Sequence, residues 1–318
     1  MSVMFTTVTT PNAVRSDQSN EANHPSVGIV VLTWENYEDT AECLQSLRTV
    51  EYPNYHVIVV DNGSTDGSRE RLVDEFDWCT FVLNDENRGF AGGNNPGIDR
   101  ALSMGVDYVL LLNNDTIVPP DFLTPLVDVA ETHDDVAAVG GVQYRAGTDE
   151  ILNAGQRFFP YLGGRVTTHR TVRDDEPYEV SYSPTSLILL PREFIEQNDV
   201  LHEGYFVGMD DVDLAVQARQ NGQRVMIAPE STIQHKEGLT SERSPFMTYH
   251  WMRNRLQFAS QRLSLPERLV FYVGYTLTLV QFSLIWVFTR RTELLRSTYT
   301  GIKDHFTRAD FRSYEFFE

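Results

Sequence analysis

DYVLLLNNDTIVPPDF, residues 107–122, runs from five residues without a charge into two asparagines and an aspartate, and then reaches two prolines. Tyr108 to Leu112 shows no alternation of polar and apolar residues, so a strand here has both faces covered, as in a parallel sheet. Asn113, Asn114 and Asp115 then stand at the carboxyl end of that strand, the edge where open α/β sheets place ligands. An Asx-rich turn stopped by Pro119 and Pro120 accounts for the same letters. The choice between them depends on the rest of the chain.

Working outward, the preceding residues repeat one pattern. Strands are expected at 27–33 (VGIVVLT), 55–61 (YHVIVVD) and near 79–83, with helices from Glu38 to Arg48, around 67–76 and from Asn94 to Met104. Strands alternating with helices of about ten residues specify βαβ units and a parallel sheet. From 136 to 191 the pattern loosens into short segments expected to be antiparallel or mixed. A helix is expected from Asp210 to Gln220, stopped by Asn221-Gly222, and the strands RVMIAP and STIQH close this α/β unit near residue 240. Residues 1–26 are polar, without a basic start or apolar core, and read as a disordered leader rather than a signal peptide.

Composition narrows the partners. Residues 1–240 carry 15 Lys+Arg against 38 Asp+Glu, whereas residues 241–318 carry 11 against 7. An acidic body argues against nucleic-acid binding, which depends on cationic side chains neutralising phosphates. Lys236 and Lys303 are the only lysines; with the excess carboxylate this composition suits high salt, where self-repulsion is screened. Cys43 and Cys79 have no metal-type spacing and read as free thiols.

Three further stretches can carry chemistry. In VVDNGSTDGS (59–68), Asp61 ends a strand and the following turn can aim a carboxylate and backbone N–H groups at a polar ligand; an ordinary βα turn capped by Ser64 or Asp66 is the other reading. In NRGFAGGNNPGI (87–98) the glycines allow close backbone approach around Gly93 and Asn94, and Arg88 can face a phosphate, although the spacing is not that of a dinucleotide fingerprint. In GYFVGMDDVDLAVQARQNGQRVMIAPESTIQHKEG (204–238), Asp210 and Asp211 open a helix and His235 follows the next strand. There one Asp can cap the helix, and the histidine can be a plain core or surface residue.

Taken in order with VGIVVLTWENYEDTAECLQSL, these blocks resemble inverting family-2-type glycosyltransferases of GT-A fold, over roughly residues 26–240 and more loosely into YHWMRNRLQFA. The subgroup resembled is the rhamnosyltransferase-like one of lipid-linked glycan assembly. The resemblance implies that NND occupies the position of the DxD-type motif, with Asp115 a ligand of a divalent metal, Mg²⁺ or Mn²⁺, on the diphosphate of a nucleotide sugar. Asn113 stands where a carboxylate is commoner. His235 matches a histidine completing the metal site, and Asp211 the general base, with Asp210 in place of the usual glutamate. A carboxylate at a helix N-terminus is expected to stay ionised at neutral pH. Thr33, Glu35 and Asp61 match positions that cradle the nucleotide base, and Arg88, Gly93, Asn94, Asn113, Asn114 and Asp210 complete the expected donor site.

The tail, 241–318, is expected to be helical. Its segment 269–288 (LVFYVGYTLTLVQFSLIWVF) is uncharged, bounded by Arg268 and by Arg290 and Arg291, and long enough to cross a bilayer as a transmembrane helix with Tyr272, Tyr275 and Trp286 at the interfaces. Gly274, Thr278 and Gln281 form a polar seam that also permits a helix lying in one leaflet. The sequence therefore points to a membrane-associated enzyme that moves one sugar from a nucleotide-diphosphate donor to a hydroxyl acceptor, lipid-linked or another glycan. Its catalytic domain is expected on the cytoplasmic face of the cell membrane. A nucleotidyltransferase would carry a glycine-rich basic loop after the first strand, which TWENYEDT lacks; a silent nucleotide-sugar-binding scaffold is the other alternative.

Overall fold

The structure, a computed structural model, describes residues 7–8, 24–236, 244–309 and 311. The expected leader falls mostly outside them, as does the expected domain end near residue 240. Thr7–Val8 forms a short strand, β1, paired with the strand at Thr80–Leu83.

The α/β unit begins with β2 (Val27–Thr33), α1 (Tyr37–Leu47), β3 (Tyr55–Asp61), α2 (Ser68–Glu75), β4 (Thr80–Leu83), α3 (Gly89–Ser103) and β5 (Tyr108–Asn113). It continues through β6 (Thr116–Ile117), α4 (Leu123–Thr132), β7 (Val136–Arg145), β8 (Ile151–Asn153), β9 (Gln156–Phe159), β10 (Arg165–Thr168) and β11 (Tyr178–Val180). Then come β12 (Leu187–Pro191), α5 (Arg192–Gln197), α6 (Asp210–Gln220) and β13 (Arg224–His235). The sheet order is β1-β4-β3-β2-β5-β12-β7-β13-β11. Strands β4, β3, β2 and β5 are parallel, β12 runs antiparallel between β5 and β7, and β13 returns parallel to β7. The looser region is mixed, as its sequence implies.

The uninterrupted apolar runs have a direct cause. Val109 and Leu111 of β5 pack in one layer with Ile98 and Ala101 of α3, while Leu110 and Leu112 pack in the other with Leu44 of α1 and Leu126 of α4. Both faces are covered, so no position of the strand favours a polar side chain.

Helix α3 departs from expectation: it starts at Gly89 rather than Asn94, through the glycine-rich segment. Tertiary closeness overrides the low helix propensity of glycine. A Cβ at Gly97 would lie 2.5 Å from Val60 Cγ2 and 2.6 Å from Val30 Cγ1, and one at Gly93 2.8 Å from Leu32. These glycines let the helix sit directly on β2 and β3.

Three helices follow: α7 (Pro245–Arg262), α8 (Leu265–Phe288) and α9 (Thr292–Thr307). Arg262 of α7 pairs with both oxygens of the fully buried Asp213 at 2.7 Å, fixing α7 to α6. Helix α8 buries Phe271, Gly274, Tyr275 and Trp286 against the protein. Tyr275 and Trp286, expected at bilayer interfaces, are therefore core residues, and the Tyr275 hydroxyl donates to Met252 O at 3.0 Å. Gly274 of the expected polar seam is pressed against the turn at 160–163, and the Thr278 hydroxyl bonds back to Gly274 O.

Gly97→Val should lower stability by about 1–3 kcal/mol through overpacking, read from urea unfolding midpoints. An unchanged midpoint would show that α3 does not seat where the structure puts it.

Candidate active site

The sequence-predicted residues gather at the carboxyl edge of the parallel strands and at the start of α6. Thr33 ends β2, Asp61 ends β3, Asn113 ends β5, and the turn at Asn114–Asp115 leads into β6. Pairing of β6 with β13, His235 opposite Thr116, brings His235 beside Asp115 across 120 residues of chain.

Asp61 is buried; its Oδ1 accepts from the backbone N of Gly63 (3.2 Å) and Ser64 (3.1 Å) and from Arg69 Nε at 2.7 Å. Its Oδ2 is buried with no hydrogen-bond partner among the described residues. Glu35, in a left-handed conformation (φ 48°), accepts from Thr65 Oγ1 at 3.0 Å and donates its backbone N–H to Ser64 Oγ at 2.9 Å, so it joins the β2–α1 loop to the β3–α2 turn. Thr33 and Thr40 share a hydroxyl–hydroxyl bond of 2.8 Å, and Asn114 Nδ2 donates to Thr40 Oγ1 at 2.8 Å. Those contacts bind the ends of β2 and β5 together.

Gly93 packs on Leu32 and Asn62, and the buried Asn94 donates to Phe90 O within its own helix at 2.9 Å, so both lie at the start of a helix rather than in a loop. Arg88, at the start of that helix, reaches Glu203 at 3.4 Å and remains partly exposed.

His235 Nε2 lies 3.1 Å from Asp115 Oδ1. Gln143 Nε2 donates to Ser186 Oγ at 2.9 Å, which leaves its Oε1 to accept from His235 Nδ1 at 3.2 Å. With a proton on Nδ1, the Nε2 lone pair faces the carboxylate, and two acceptors at this distance need a proton or a cation between them. An oxygen and a nitrogen donor converging at a strand edge fit a divalent metal. Among the described residues no cluster of three or more His, Cys, Asp or Glu can hold a metal. The pair therefore fits an open site whose remaining positions go to a ligand's oxygens.

The second pair opens α6. Met209, with φ 77°, turns the chain so that Asp210 and Asp211 start the helix, and neither is its N-cap. Asp210 Oδ2 accepts from Thr185 Oγ1 at 3.0 Å, while Asp211 is only half-buried and its Oδ1 takes the N–H of Val212 at 2.7 Å. Burial, and then the neighbouring Asp210 charge, push the Asp211 carboxyl well above the usual carboxylate range; burial likewise raises Asp210. The helix N-terminus was expected to keep Asp211 ionised. Desolvation and like charge outweigh its N–H bonds.

Several contributors escaped the sequence reading. Thr185, which holds Asp210, is followed by Ser186, whose carbonyl accepts from Asn113 N at 3.1 Å and whose hydroxyl meets Gln143, the partner of His235. One dipeptide thus links the Asp210–Asp211 pair to the Asp115–His235 pair. Asn62 donates to Gly89 O and accepts from Arg88 N, joining the turn after β3 to α3. Asn254 of α7 donates to Val207 O (2.9 Å) and Gly208 O (3.2 Å), holding the turn before Asp210.

A family model described as "Glycosyl transferase family 2" matches residues 28–197. Among curated proteins, the chain is similar to a glucosyl-dolichyl phosphate glucuronosyltransferase of Haloferax volcanii, 32% identical over 120 residues that cover 36% of this chain and 37% of that one. The chain thus spans little more than a third of that relative's length. Among solved structures it is similar to a mannosyltransferase of Pyrobaculum calidifontis in complex with GDP-Man and Mn²⁺, with a TM-score of 0.58, 16% identity and coverage of 91% of this chain and 89% of that one. GalNAc-T7 with UDP, GalNAc and Mn²⁺ matches with a TM-score of 0.59 at 16% identity, covering 80% and 55%. At such identities the likeness establishes the fold, which is GT-A.

Because the folded protein raises both carboxyls, each is stabilising only while protonated, and the folded state loses stability as pH rises above their ordinary value of 3.8. Asp211→Asn should therefore be more stable than wild type at pH 8 and indistinguishable from it at about pH 3.5, by thermal unfolding across pH. Equal stability at both would refute the shift.

Proposed function

The chain belongs to glycosyl transferase family 2, and from that membership and the site's geometry we propose an inverting transfer of one sugar from a nucleotide-diphosphate donor to an acceptor hydroxyl. The observation that supports this reading is the Thr185–Ser186 link, which joins the Asp115–His235 pair to the Asp210–Asp211 pair at one sheet edge.

In this reading Asp61 Oδ2 accepts from the nucleotide base, with Thr33, Glu35 and Asn114 shaping the loop around it. Arg88, Asn113 and Asp210 border the diphosphate and sugar. Asp115 and His235 would hold the divalent metal, which supplies positive charge to the diphosphate as it leaves. The imidazole ligand favours Mn²⁺ over Mg²⁺. The acceptor oxygen forms its bond to the anomeric carbon as the bond to the diphosphate breaks, and the half-buried Asp211 takes the hydroxyl proton. A carboxyl with raised proton affinity is a stronger base for that step, provided it begins ionised. Asp210, held by Thr185, keeps its neighbour's affinity high.

A lipid-linked acceptor is part of the proposal. It rests on the apolar α8, the one helix among the described residues long and apolar enough to cross a membrane, and on similarity to an enzyme named for a dolichyl phosphate substrate. The α/β unit, 27–240, then works on the cytoplasmic face, where nucleotide sugars are made, with 241–318 as its membrane-associated tail.

Two variants separate the roles. Asp115→Ala should abolish transfer and remove the Mn²⁺ dependence of nucleoside-diphosphate binding in calorimetric titrations; binding that stays metal-dependent would place the cation elsewhere. Asp211→Asn should cut turnover by about 10²–10⁴-fold with little change in donor affinity. Comparable loss of donor binding would make Asp211 a donor ligand instead of the base.

A further inference from the structure

Helix α8 is long enough to span a bilayer at about 1.5 Å per residue, yet the elements on either side of it meet. The Tyr249 hydroxyl of α7 donates to Asp304 Oδ2 of α9 at 2.9 Å. A Cβ at Gly301 of α9 would come within 2.5 Å of Tyr249 O. Helix α7 is in turn fixed to the catalytic unit by Arg262 and Asn254. A spanning α8 would leave its flanking helices on opposite sides of a hydrocarbon layer about 30 Å thick. They cannot then touch.

The surface of α8 agrees. One face is pressed onto the protein, including the turn of Tyr161 and Leu162, both exposed beside Gly274. On the other, Leu269, Val273, Leu277, Val280, Leu284 and Phe288 recur at helical spacing, all exposed. Helix α9 continues this surface with a different chemistry: Arg296, Tyr299, Lys303 and Phe306 repeat at helical spacing and are exposed. The Tyr299 hydroxyl lies 3.4 Å from Ser283 Oγ on α8, so the two outward faces adjoin. Residues 289–309 carry five Lys and Arg against Glu293 and Asp304, in a chain whose net charge is −19.

We propose that α8 and α9 form an in-plane docking face for an anionic bilayer: the apolar face of α8 enters one leaflet, and the basic and aromatic face of α9 lies among its headgroups. An amphipathic surface with cations and aromatic rings at its margin binds at the interface without crossing it. A second copy of the chain is the poorer occupant, since two-fold pairing through this face would bring basic stripe against basic stripe. The inference rests on the reading that the tail meets a membrane. It adds that both ends of α8 stay on the catalytic side, which would hold the active site at a set height above a lipid-borne acceptor.

The full-length chain, mixed with phosphatidylcholine vesicles with or without phosphatidylglycerol, should float with the anionic ones and be released by salt. Arg296→Glu/Lys303→Glu should weaken that binding about tenfold or more. Single reporter cysteines Gln261→Cys and Thr292→Cys, in inverted membrane vesicles from expressing cells, should both react with a membrane-impermeant maleimide, since the native Cys43 and Cys79 are buried. Labelling of only one before the vesicles are opened means a spanning helix and overturns the in-plane arrangement while leaving membrane attachment intact. Absence of flotation, or a dimer that persists in its place, overturns attachment itself and this inference with it.

Discussion

Strand β12 enters the sheet against the direction of both neighbours, with Leu187 opposite Leu112 of β5 and Ile188 opposite Gly140 of β7. Its direction requires the chain to arrive at the carboxyl edge of the parallel strands, and so delivers Thr185 and Ser186 there. Thr185 holds one carboxylate of the α6 pair, and Ser186 holds the end of β5 and, through Gln143, the imidazole beside Asp115. Remove that insertion and the two halves of the site have no common frame. The apolar body of β12, fully buried from Leu187 to Leu190, is what keeps it in place.

The same frame accounts for an arrangement that is costly to the fold. Two carboxyls at the start of one helix, both with raised proton affinity, weaken the folded state whenever they ionise. Asp210 is compensated by backbone N–H groups and the Thr185 hydroxyl, and Asp211 mainly by backbone N–H groups. A fold built for stability alone would place Asn or Ser at these positions.

The parallel half of the fold was legible because its strands are covered on both faces, which leaves a signature in single letters. Asp61, Asp115 and His235 were legible as strand-end residues for the same reason. The start of α3 was not: glycine reads as a breaker locally, and the contact of Gly97 with Val30 and Val60 that makes it a packing residue joins distant parts of the chain. Thr185, Gln143 and Asn254 were hidden likewise, since each acts through partners 25 to 92 residues away. Hydropathy marked residues 269–288 as apolar but cannot distinguish a face covered by protein from one covered by lipid. The burial of Phe271, Gly274, Tyr275 and Trp286 marks the face that protein covers.

In the proposed site Asp115 and His235, brought together by β6 and β13, form the metal-holding end. A crystal of the protein grown with a nucleoside diphosphate and Mn²⁺, measured at the manganese absorption edge, tests it most directly. One strong anomalous peak coordinated by the Asp115 carboxylate, His235 Nε2 and diphosphate oxygens is expected. A peak on the diphosphate that neither residue touches would contradict it.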